Sequence, residues 1–237
     1  MEKMKKQTKI GVVGAGSWGT ALAKLLADKG YELDLWVFET EVREQIEQQR
    51  ENKVFLPGTR LPRIINPLND LEQVVRGKDL VLLVVPSHFM RGISEQIRDF
   101  VEPDAVLVTA SKGIENKTHM TMTQILEENI PALPRGNFVV LSGPSFAKEV
   151  AAQVPTVVAS ASMDREKARF VQEVFSCPTF RVYVNDDPVG TQIGGAMKNV
   201  LAIAAGICDG MKMGLNPRAA LITRGLAEMN RLGTRMG

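Results

Sequence analysis

The sequence has few of the residues on which metal and disulfide chemistry depends. Its 237 residues include only two cysteines and two histidines. Cys177 and Cys208 can form at most one disulfide, and their spacing matches no common metal site. We therefore interpret both as small apolar packing residues of a protein from a reducing compartment, and we predict no metal.

Strong net charge and long apolar runs are also missing. The formal net charge is +2, which provides no strong field to attract nucleic acid or an anionic membrane. The best apolar run, Leu80 to Val85, suits a buried strand and is far too short for a membrane span. The basic start from Met1 to Lys6 resembles an export signal, but Gly11 and Gly14 interrupt the apolar segment that follows. We expect a cytoplasmic protein with no nucleic-acid partner and no membrane insertion.

Short apolar segments alternate with amphipathic helical patterns through the first three quarters of the chain. Because most of these segments are apolar on both faces, they predict a parallel sheet covered by helices on both sides. The fold class is α/β, with a Rossmann-like, doubly wound, mainly parallel sheet followed by a second, all-helical domain. The predicted strands are Ile10–Val13, Leu33–Val37, Leu80–Val85, Ala105–Thr109, Phe138–Leu141, Thr156–Ala159 and Phe180–Val184.

A long connection interrupts this alternation. Periodicity fails between Asn52 and Pro67, where several prolines predict a surface loop before a helix near Asp70–Val75.

The chain changes character at Asn185-Asp186-Asp187-Pro188, where two acids precede a proline that can open a helix. We place the domain boundary there, with a dinucleotide-binding domain over 1–187 and the start of a substrate domain over 188–237. The second part predicts a helix from Val189 to Met213, a turn over Gly214–Pro217 and another helix from Arg218. Two helices cannot enclose a core, so we expect a fragment of a larger domain or dependence on another subunit.

A glycine fingerprint follows the first predicted strand. In Gly14-Ala15-Gly16-Ser17-Trp18-Gly19, the first glycine permits a tight turn and the second lets the backbone approach a pyrophosphate. Gly19 lets the helix pack closely on the sheet, and the helix N-terminus receives the negative charge. This pattern predicts a dinucleotide site, although a glycine-rich turn without a ligand is the alternative.

The end of the second predicted strand bears on the choice of dinucleotide. Glu39 lies about twenty residues after Gly19, where a carboxylate can accept hydrogen bonds from the adenosine ribose and would repel a 2′-phosphate. Phe38 precedes it and adds no positive charge. NAD is therefore slightly favoured over NADP, but Arg43 nearby keeps NADP open, and Glu39 can also be a solvated residue of the first helical turn.

Three later segments carry candidate catalytic groups. Lys112 follows a strand and should lie at the carboxyl edge of the sheet, where such folds bind ligands. Near the end of the next strand, Ser145 can cap a helix, and the amides from Gly143 to Ala147 can line a polar pocket. Each of these residues also has a plain structural explanation, in solvation or in capping.

In the long helix, Lys198 follows two glycines and has small and apolar neighbours. Burial and the charge of Lys112 would lower its pKa, so that it can donate a proton to a carbonyl oxygen as hydride arrives. Asn199 can orient the substrate or the amine. A lysine and asparagine on the solvated surface of a helix are the alternative.

Taken in order, these blocks resemble a known family. They are Gly14 to Ala21, Val85-Pro86-Ser87, Ser111-Lys112-Gly113, Ser142 to Ala147, Lys198-Asn199-Val200 and Leu221 to Leu226. The chain is similar to bacterial NAD(P)-dependent glycerol-3-phosphate dehydrogenase from about Lys9 to its last residue.

The resemblance implies reduction of dihydroxyacetone phosphate to sn-glycerol 3-phosphate, a phospholipid precursor, in the cytoplasm. It implies that Lys198 is the proton donor and acceptor and that Lys112 touches both cofactor and substrate. It further implies substrate contacts from Gly143 and Ser145 and cofactor contacts from Ser17, Trp18 and Ala147. Together with the groups considered above from the residues themselves, the candidate substrate contacts are Lys112, Gly143, Ser145, Lys198 and Asn199. The candidate cofactor contacts are Gly14, Gly16, Ser17, Trp18, Gly19, Phe38, Glu39, Lys112 and Ala147.

Two departures from the family pattern matter. Many bacterial relatives carry an arginine or histidine in place of Phe38, and such a group could bind the 2′-phosphate of NADP. The family also continues into an aspartate and an Arg-Asn segment that hold the substrate phosphate, and these lie beyond Gly237. We therefore expect cofactor binding with weak or absent turnover from residues 1–237. We also expect a homodimer.

Two other functions remain open at this point. One is a hydroxy-acid dehydrogenase of similar two-domain build, whose helical domain also offers a lysine and an asparagine. The other is a dinucleotide-binding module without catalysis, in which Lys198 would be dispensable.

Overall fold

A computed structural model describes residues 8–237. Strands and helices alternate as far as Asn185, and two long helices follow. The strands are β1 (Ile10–Val13), β2 (Leu33–Trp36), β3 (Ile65–Leu68), β4 (Leu80–Leu83), β5 (Val106–Thr109), β6 (Phe138–Ser142), β7 (Thr156–Ala161) and β8 (Phe180–Asn185). The α-helices are α1 (Ser17–Asp28), α2 (Thr40–Gln49), α3 (Leu71–Val75), α4 (Met90–Ile97), α5 (Met122–Asn129), α6 (Ala147–Ala151), α7 (Arg165–Phe175), α8 (Pro188–Gly210) and α9 (Leu215–Met236).

The eight strands form one sheet in the order β3-β2-β1-β4-β5-β6-β7-β8. All neighbouring pairs are parallel except β6 and β7, which are antiparallel. Chain order reverses at β1, because β2 pairs on one side of it and β4 on the other. In open α/β sheets, ligands bind beyond the carboxyl ends of the strands at such a reversal.

Both faces of the sheet are covered, as the apolar strands predicted. Val12 and Val13 are consecutive on β1, point to opposite faces, and are both fully buried. They belong to two separate apolar clusters, one on each side of the sheet. This confirms the doubly wound, mainly parallel fold followed by helices.

The prediction of a plain surface loop from Asn52 to Pro67 is wrong in two respects. Residues Ile65–Leu68 form β3 at the sheet edge, in register with β2 through Leu35 and Pro67. A proline argues against a strand because it lacks an N–H for pairing, but an edge strand tolerates it. Asn52 and Leu56 are fully buried, so part of this connection belongs to the core.

The two long helices begin where local backbone chemistry allows. At the start of α8, the Asp187 carboxylate accepts a hydrogen bond from the Gly190 N–H at 2.7 Å. The predicted turn over Gly214–Pro217 is too long, since α9 already begins at Leu215. Pro217 lies in the first helical turn, where its missing N–H leaves no intrahelical bond unmade. Within residues 8–237, no helix combines the length and the apolar character needed to cross a bilayer.

Candidate active site

The glycine turn joins β1 to α1 at the point where the strand order reverses. Gly14 has φ +115°, and a Cβ on Gly19 would lie 1.9 Å from the Gly14 carbonyl oxygen, so the chain itself requires both glycines. Gly16 differs, because its φ is −65° and no atom lies within 4 Å of the position of a Cβ. The turn therefore leaves open space beside the N-terminal amides of α1, as a dinucleotide pyrophosphate requires.

The two residues that open α1 have different surroundings. The exposed Ser17 donates a hydrogen bond from Oγ to the Phe55 carbonyl oxygen at 2.5 Å. The half-buried Trp18 has a ring centroid 5.3 Å from Lys112 Nζ, within cation–π range. Its buried Nε1 makes no hydrogen bond within the described residues. Trp18 thus links the glycine turn to the loop that carries Lys112.

The end of β2 presents an aromatic ring and a carboxylate. Phe38 is 75% exposed, and its ring meets Trp36 edge-on at a centroid distance of 5.9 Å. Glu39 immediately precedes α2 and makes no capping hydrogen bond with its side chain. Arg43, one turn into α2, is paired with Glu47 at 2.5 Å.

Lys112 follows β5 on a loop with a fixed shape. Ser111 Oγ accepts a hydrogen bond from the Val85 N–H at 3.0 Å and donates one to the Val85 carbonyl oxygen at 2.6 Å. Gly113 has φ +136°, and a Cβ there would lie 2.6 Å from Ser87 Oγ. Burial, followed by repulsion from Lys198, lowers the pKa of Lys112 from 10.5 to about 8. The lysine therefore lies in a desolvated place close to a second cation.

The turn after β6 brings its backbone to the same edge. A Cβ on Gly143 would lie 2.8 Å from Val158 Cα, so the turn packs tightly on β7. Of the two roles that the sequence left open for Ser145, capping of α6 does not occur: the residue at the cap is Phe146, with no side-chain hydrogen bond. The reason is that Ser145 Oγ turns back and donates to the Gly143 carbonyl oxygen at 3.3 Å. Ala147 is the first residue of α6, which packs against α1.

Lys198 reaches this turn from α8. Its Nζ donates a hydrogen bond to the Gly143 carbonyl oxygen at 2.9 Å. Gly195, one turn earlier, permits this approach because a Cβ there would lie 2.6 Å from Ser142 Oγ. Burial lowers the pKa of Lys198. The side chain of Asn199 is exposed, and no hydrogen bond joins it to the ammonium of Lys198.

The structure thus brings together most of the site residues predicted from the sequence. The glycine turn, Trp18, Lys112, Gly143 and Lys198 form a connected group at the carboxyl edge. The region holds two lysines of lowered pKa, polar backbone and open space beside Gly16. Such a group can bind an anionic substrate and pass a proton to it.

Some residues that shape the site could not be identified from the sequence. Asn52 is fully buried against the glycine turn, and Gln192 on α8 bonds Thr123 at the start of α5 with both ends of its amide. Isolated asparagines and glutamines carry no spacing pattern, so only the three-dimensional packing reveals them. Cys177 and Cys208 are half-buried free thiols.

Comparison with known families settles the affiliation. The model of the NAD-dependent glycerol-3-phosphate dehydrogenase N-terminus matches residues 9–168, and that of the C-terminus of the same enzymes matches residues 187–237. The chain belongs to the NAD-dependent glycerol-3-phosphate dehydrogenase family. As a member it is an NAD(P)-linked oxidoreductase, which agrees with the open glycine turn.

Individual relatives agree with this assignment. A glycerol-3-phosphate dehydrogenase [NAD(P)+] of Geobacter metallireducens is 55% identical over 97% of this chain and 68% of its own length. The corresponding protein of Syntrophobacter fumaroxidans is 53% identical over 99% of this chain and 69% of its own. The present chain therefore spans a little over two thirds of the length of these relatives.

Solved structures give the same result. The crystal structure of glycerol-3-phosphate dehydrogenase from Coxiella burnetii superposes with a TM-score of 0.89 at 37% identity, covering 98% of this chain and 70% of that chain. Membership of this family argues against the hydroxy-acid dehydrogenase that the sequence left open. It also argues against a binding module without catalysis.

Proposed function

We propose that this site reduces dihydroxyacetone phosphate to sn-glycerol 3-phosphate. The observation that carries the proposal is the placement of two lysines of lowered pKa beside the Gly143 turn and within reach of the glycine turn. A substrate with one carbonyl and one phosphate presents the two groups that such a pair of cations can bind. The reverse reaction uses the same groups.

Lys198 is the proton donor in this proposal. When the reduced nicotinamide is bound, it supplies hydride to the carbonyl carbon of the substrate. Lys198 Nζ gives a proton to the carbonyl oxygen, so that an alcohol forms and a neutral amine remains, which solvent reprotonates. The lowered pKa of Lys198 makes this transfer easier than from a solvated lysine. The Gly143 carbonyl oxygen holds the ammonium in place before transfer.

Lys112 has a binding role in the proposal. Its ammonium lies over the Trp18 ring. Lys198 is close enough for its charge to lower the pKa of Lys112. From there Lys112 can attract both the cofactor and the phosphate-bearing substrate. Gly143, Ser145 and Asn199 are proposed to contact the substrate, and Ser17, Trp18 and Ala147 the cofactor.

We further propose a preference for NAD over NADP. Glu39 stands free of any capping bond at the end of β2, where it can accept hydrogen bonds from a ribose and repel a 2′-phosphate. Arg43, the nearby cation that could favour NADP, is paired with Glu47. Phe38 offers an apolar ring for the adenine.

The wider role follows from the reaction. We propose that residues 1–187 form the dinucleotide-binding domain and that 188–237 begin the substrate domain. We also propose that the protein works in the cytoplasm, that it supplies glycerol 3-phosphate for phospholipid synthesis, and that it forms a homodimer. Sedimentation of the purified chain tests the dimer.

The reaction is tested by following NADH absorbance with purified protein and separate carbonyl substrates. Oxidation of NADH is expected with dihydroxyacetone phosphate and not with dihydroxyacetone or 2-oxo acids. Equal rates with and without the substrate phosphate would contradict the proposed substrate. Single-turnover conditions with excess protein make slow oxidation of NADH measurable.

A further inference from the structure

The loop between α2 and β3 packs against the glycine turn. It leaves α2 at Arg50 and returns at Leu61, whose N–H donates to the Arg50 carbonyl oxygen at 2.8 Å. Between these points, Asn52 is fully buried and the Phe55 carbonyl oxygen accepts a hydrogen bond from Ser17 Oγ. The loop therefore packs directly against the glycine turn.

Asn52 bonds directly to the turn through its side-chain amide. Its Nδ2 donates to the Ala15 carbonyl oxygen at 2.8 Å and to Thr20 Oγ1 at 2.9 Å. Its Oδ1 accepts from the Phe55 N–H at 3.0 Å, so the amide is fully engaged. Thr20 Oγ1 also donates to the Ala15 carbonyl oxygen, at 3.1 Å. Two donors, Asn52 Nδ2 and Thr20 Oγ1, thus bond to the same carbonyl oxygen, which belongs to Ala15 of the glycine fingerprint.

That carbonyl controls the direction of a neighbouring amide. The Ala15 carbonyl and the Gly16 N–H belong to one peptide unit, and the peptide bonds of the described residues contain no cis bond. In a trans peptide the C=O and N–H point in opposite directions. Because Asn52 and Thr20 hold the oxygen on the protein side, the Gly16 N–H points away from them. The position of a Cβ on Gly16 is also open, so a ligand can approach this residue closely.

We propose that Asn52 is a positioning residue that aims the Gly16 amide at the pyrophosphate of the dinucleotide. The inference rests on the proposed cofactor contact of Gly16 and deepens it. Asn52 itself touches no ligand in this arrangement. Since the pyrophosphate is common to both dinucleotides, the effect is the same for NADH and NADPH and separate from the preference set near Glu39.

Asn137 supplies a matched control. It is also a buried asparagine whose Nδ2 donates to a backbone carbonyl, that of Ala105, at 2.9 Å. It lies before β6, at the opposite end of the strands from the glycine turn. Asn52→Leu and Asn137→Leu therefore remove similar buried bonds, and only the first acts on the turn.

The experiment measures binding of ADP-ribose and of NADH by calorimetry, together with the thermal unfolding midpoint. ADP-ribose carries the pyrophosphate without the nicotinamide. Both variants are expected to unfold at lower temperature, but only Asn52→Leu should weaken both ligands, by about tenfold, as expected when a hydrogen bond to a charged group is misdirected. In ¹⁵N spectra, ADP-ribose should shift the Gly16 amide of the wild type and of Asn137→Leu.

Unchanged affinity of Asn52→Leu, or an equal loss in Asn137→Leu, overturns the inference. If Asn52→Leu does not fold, Thr20→Val replaces it, because it removes the second donor to the Ala15 carbonyl oxygen; unchanged affinity in that variant overturns the inference as well. Absence of binding by the wild type would instead contradict the proposed cofactor site.

Discussion

Lys198 Nζ donates a hydrogen bond to the Gly143 carbonyl oxygen at 2.9 Å, although the two residues are 55 positions apart. This bond joins the long helix α8 to the turn after β6. It gives the proposed proton donor a fixed place at the carboxyl edge of the sheet. Four predictions concern this lysine, Lys112, the glycine turn and Glu39.

The first prediction concerns Lys198 itself. Lys198→Ala should lower turnover of dihydroxyacetone phosphate by about a hundredfold or more, because general acid catalysis contributes at least that much. Affinity for NADH should change little, since the lysine is proposed to act on the substrate. Single-turnover rates and calorimetric NADH binding, measured on one preparation, separate the two effects. Retained turnover would remove Lys198 from the mechanism.

The second prediction concerns the pH dependence of stability. The folded pKa of Lys112 is about 8, below its ordinary 10.5, so the folded state binds fewer protons than the unfolded state between these values. The free-energy cost of burying the charged Lys112 is therefore fully present below pH 8, and it is lost as the pH rises towards 10.5. Lys112→Met should therefore stabilise the protein at pH 7 by about 1–3 kcal/mol, since one pKa unit corresponds to about 1.4 kcal/mol.

Urea unfolding of wild type and Lys112→Met at pH 7, 8, 9 and 10 measures this difference. The gain should shrink steadily above pH 8. Lys148→Met, at an exposed position on α6, serves as the control and should show no such trend. A constant gain at every pH would mean that apolar packing, and not charge burial, explains it.

The third prediction contrasts two glycines of the turn. Gly16→Ala should fold with a stability change within about 0.5 kcal/mol, because its Cβ meets open space, but it should bind NADH much more weakly. Gly19→Ala should destabilise the fold itself, because its Cβ would lie 1.9 Å from the Gly14 carbonyl oxygen. Thermal unfolding and NADH titration of both variants check the contrast. Normal NADH affinity in a folded Gly16→Ala protein would place the pyrophosphate elsewhere.

The fourth prediction concerns cofactor choice. Glu39→Gln removes the negative charge at the end of β2 and keeps the size of the side chain. The ratio of NADPH to NADH affinity should rise about tenfold or more, since the repulsion of a 2′-phosphate is lost. Glu41→Gln, an exposed residue of the first turn of α2, is the neighbouring control. Equal shifts in the two variants would indicate a general charge effect.

Prediction from sequence succeeded where local spacing reflects geometry. The Gly14 to Gly19 fingerprint carries its own structural reasons, because a positive φ and a close helix approach exclude side chains. The continuous apolar segments likewise predicted correctly that both faces of the sheet are buried. The edge strand β3 was not predicted, because Asn66 and Pro67 interrupt its apolar pattern and its register depends on pairing with β2. The sequence left two roles open for Ser145, and only the structure shows that its hydroxyl bonds to the Gly143 carbonyl oxygen and not to the start of α6.

By itself, the sequence determined the doubly wound class, the glycine turn and the residue types at the carboxyl edge, because each depends on neighbours along the chain. Only the tertiary structure decided that Lys198 meets Gly143, that Lys112 lies over Trp18 and that Asn52 holds the Ala15 carbonyl. These contacts join residues more than thirty positions apart. Their geometry depends on how the sheet packs with α1 and α8, and no local pattern encodes that packing.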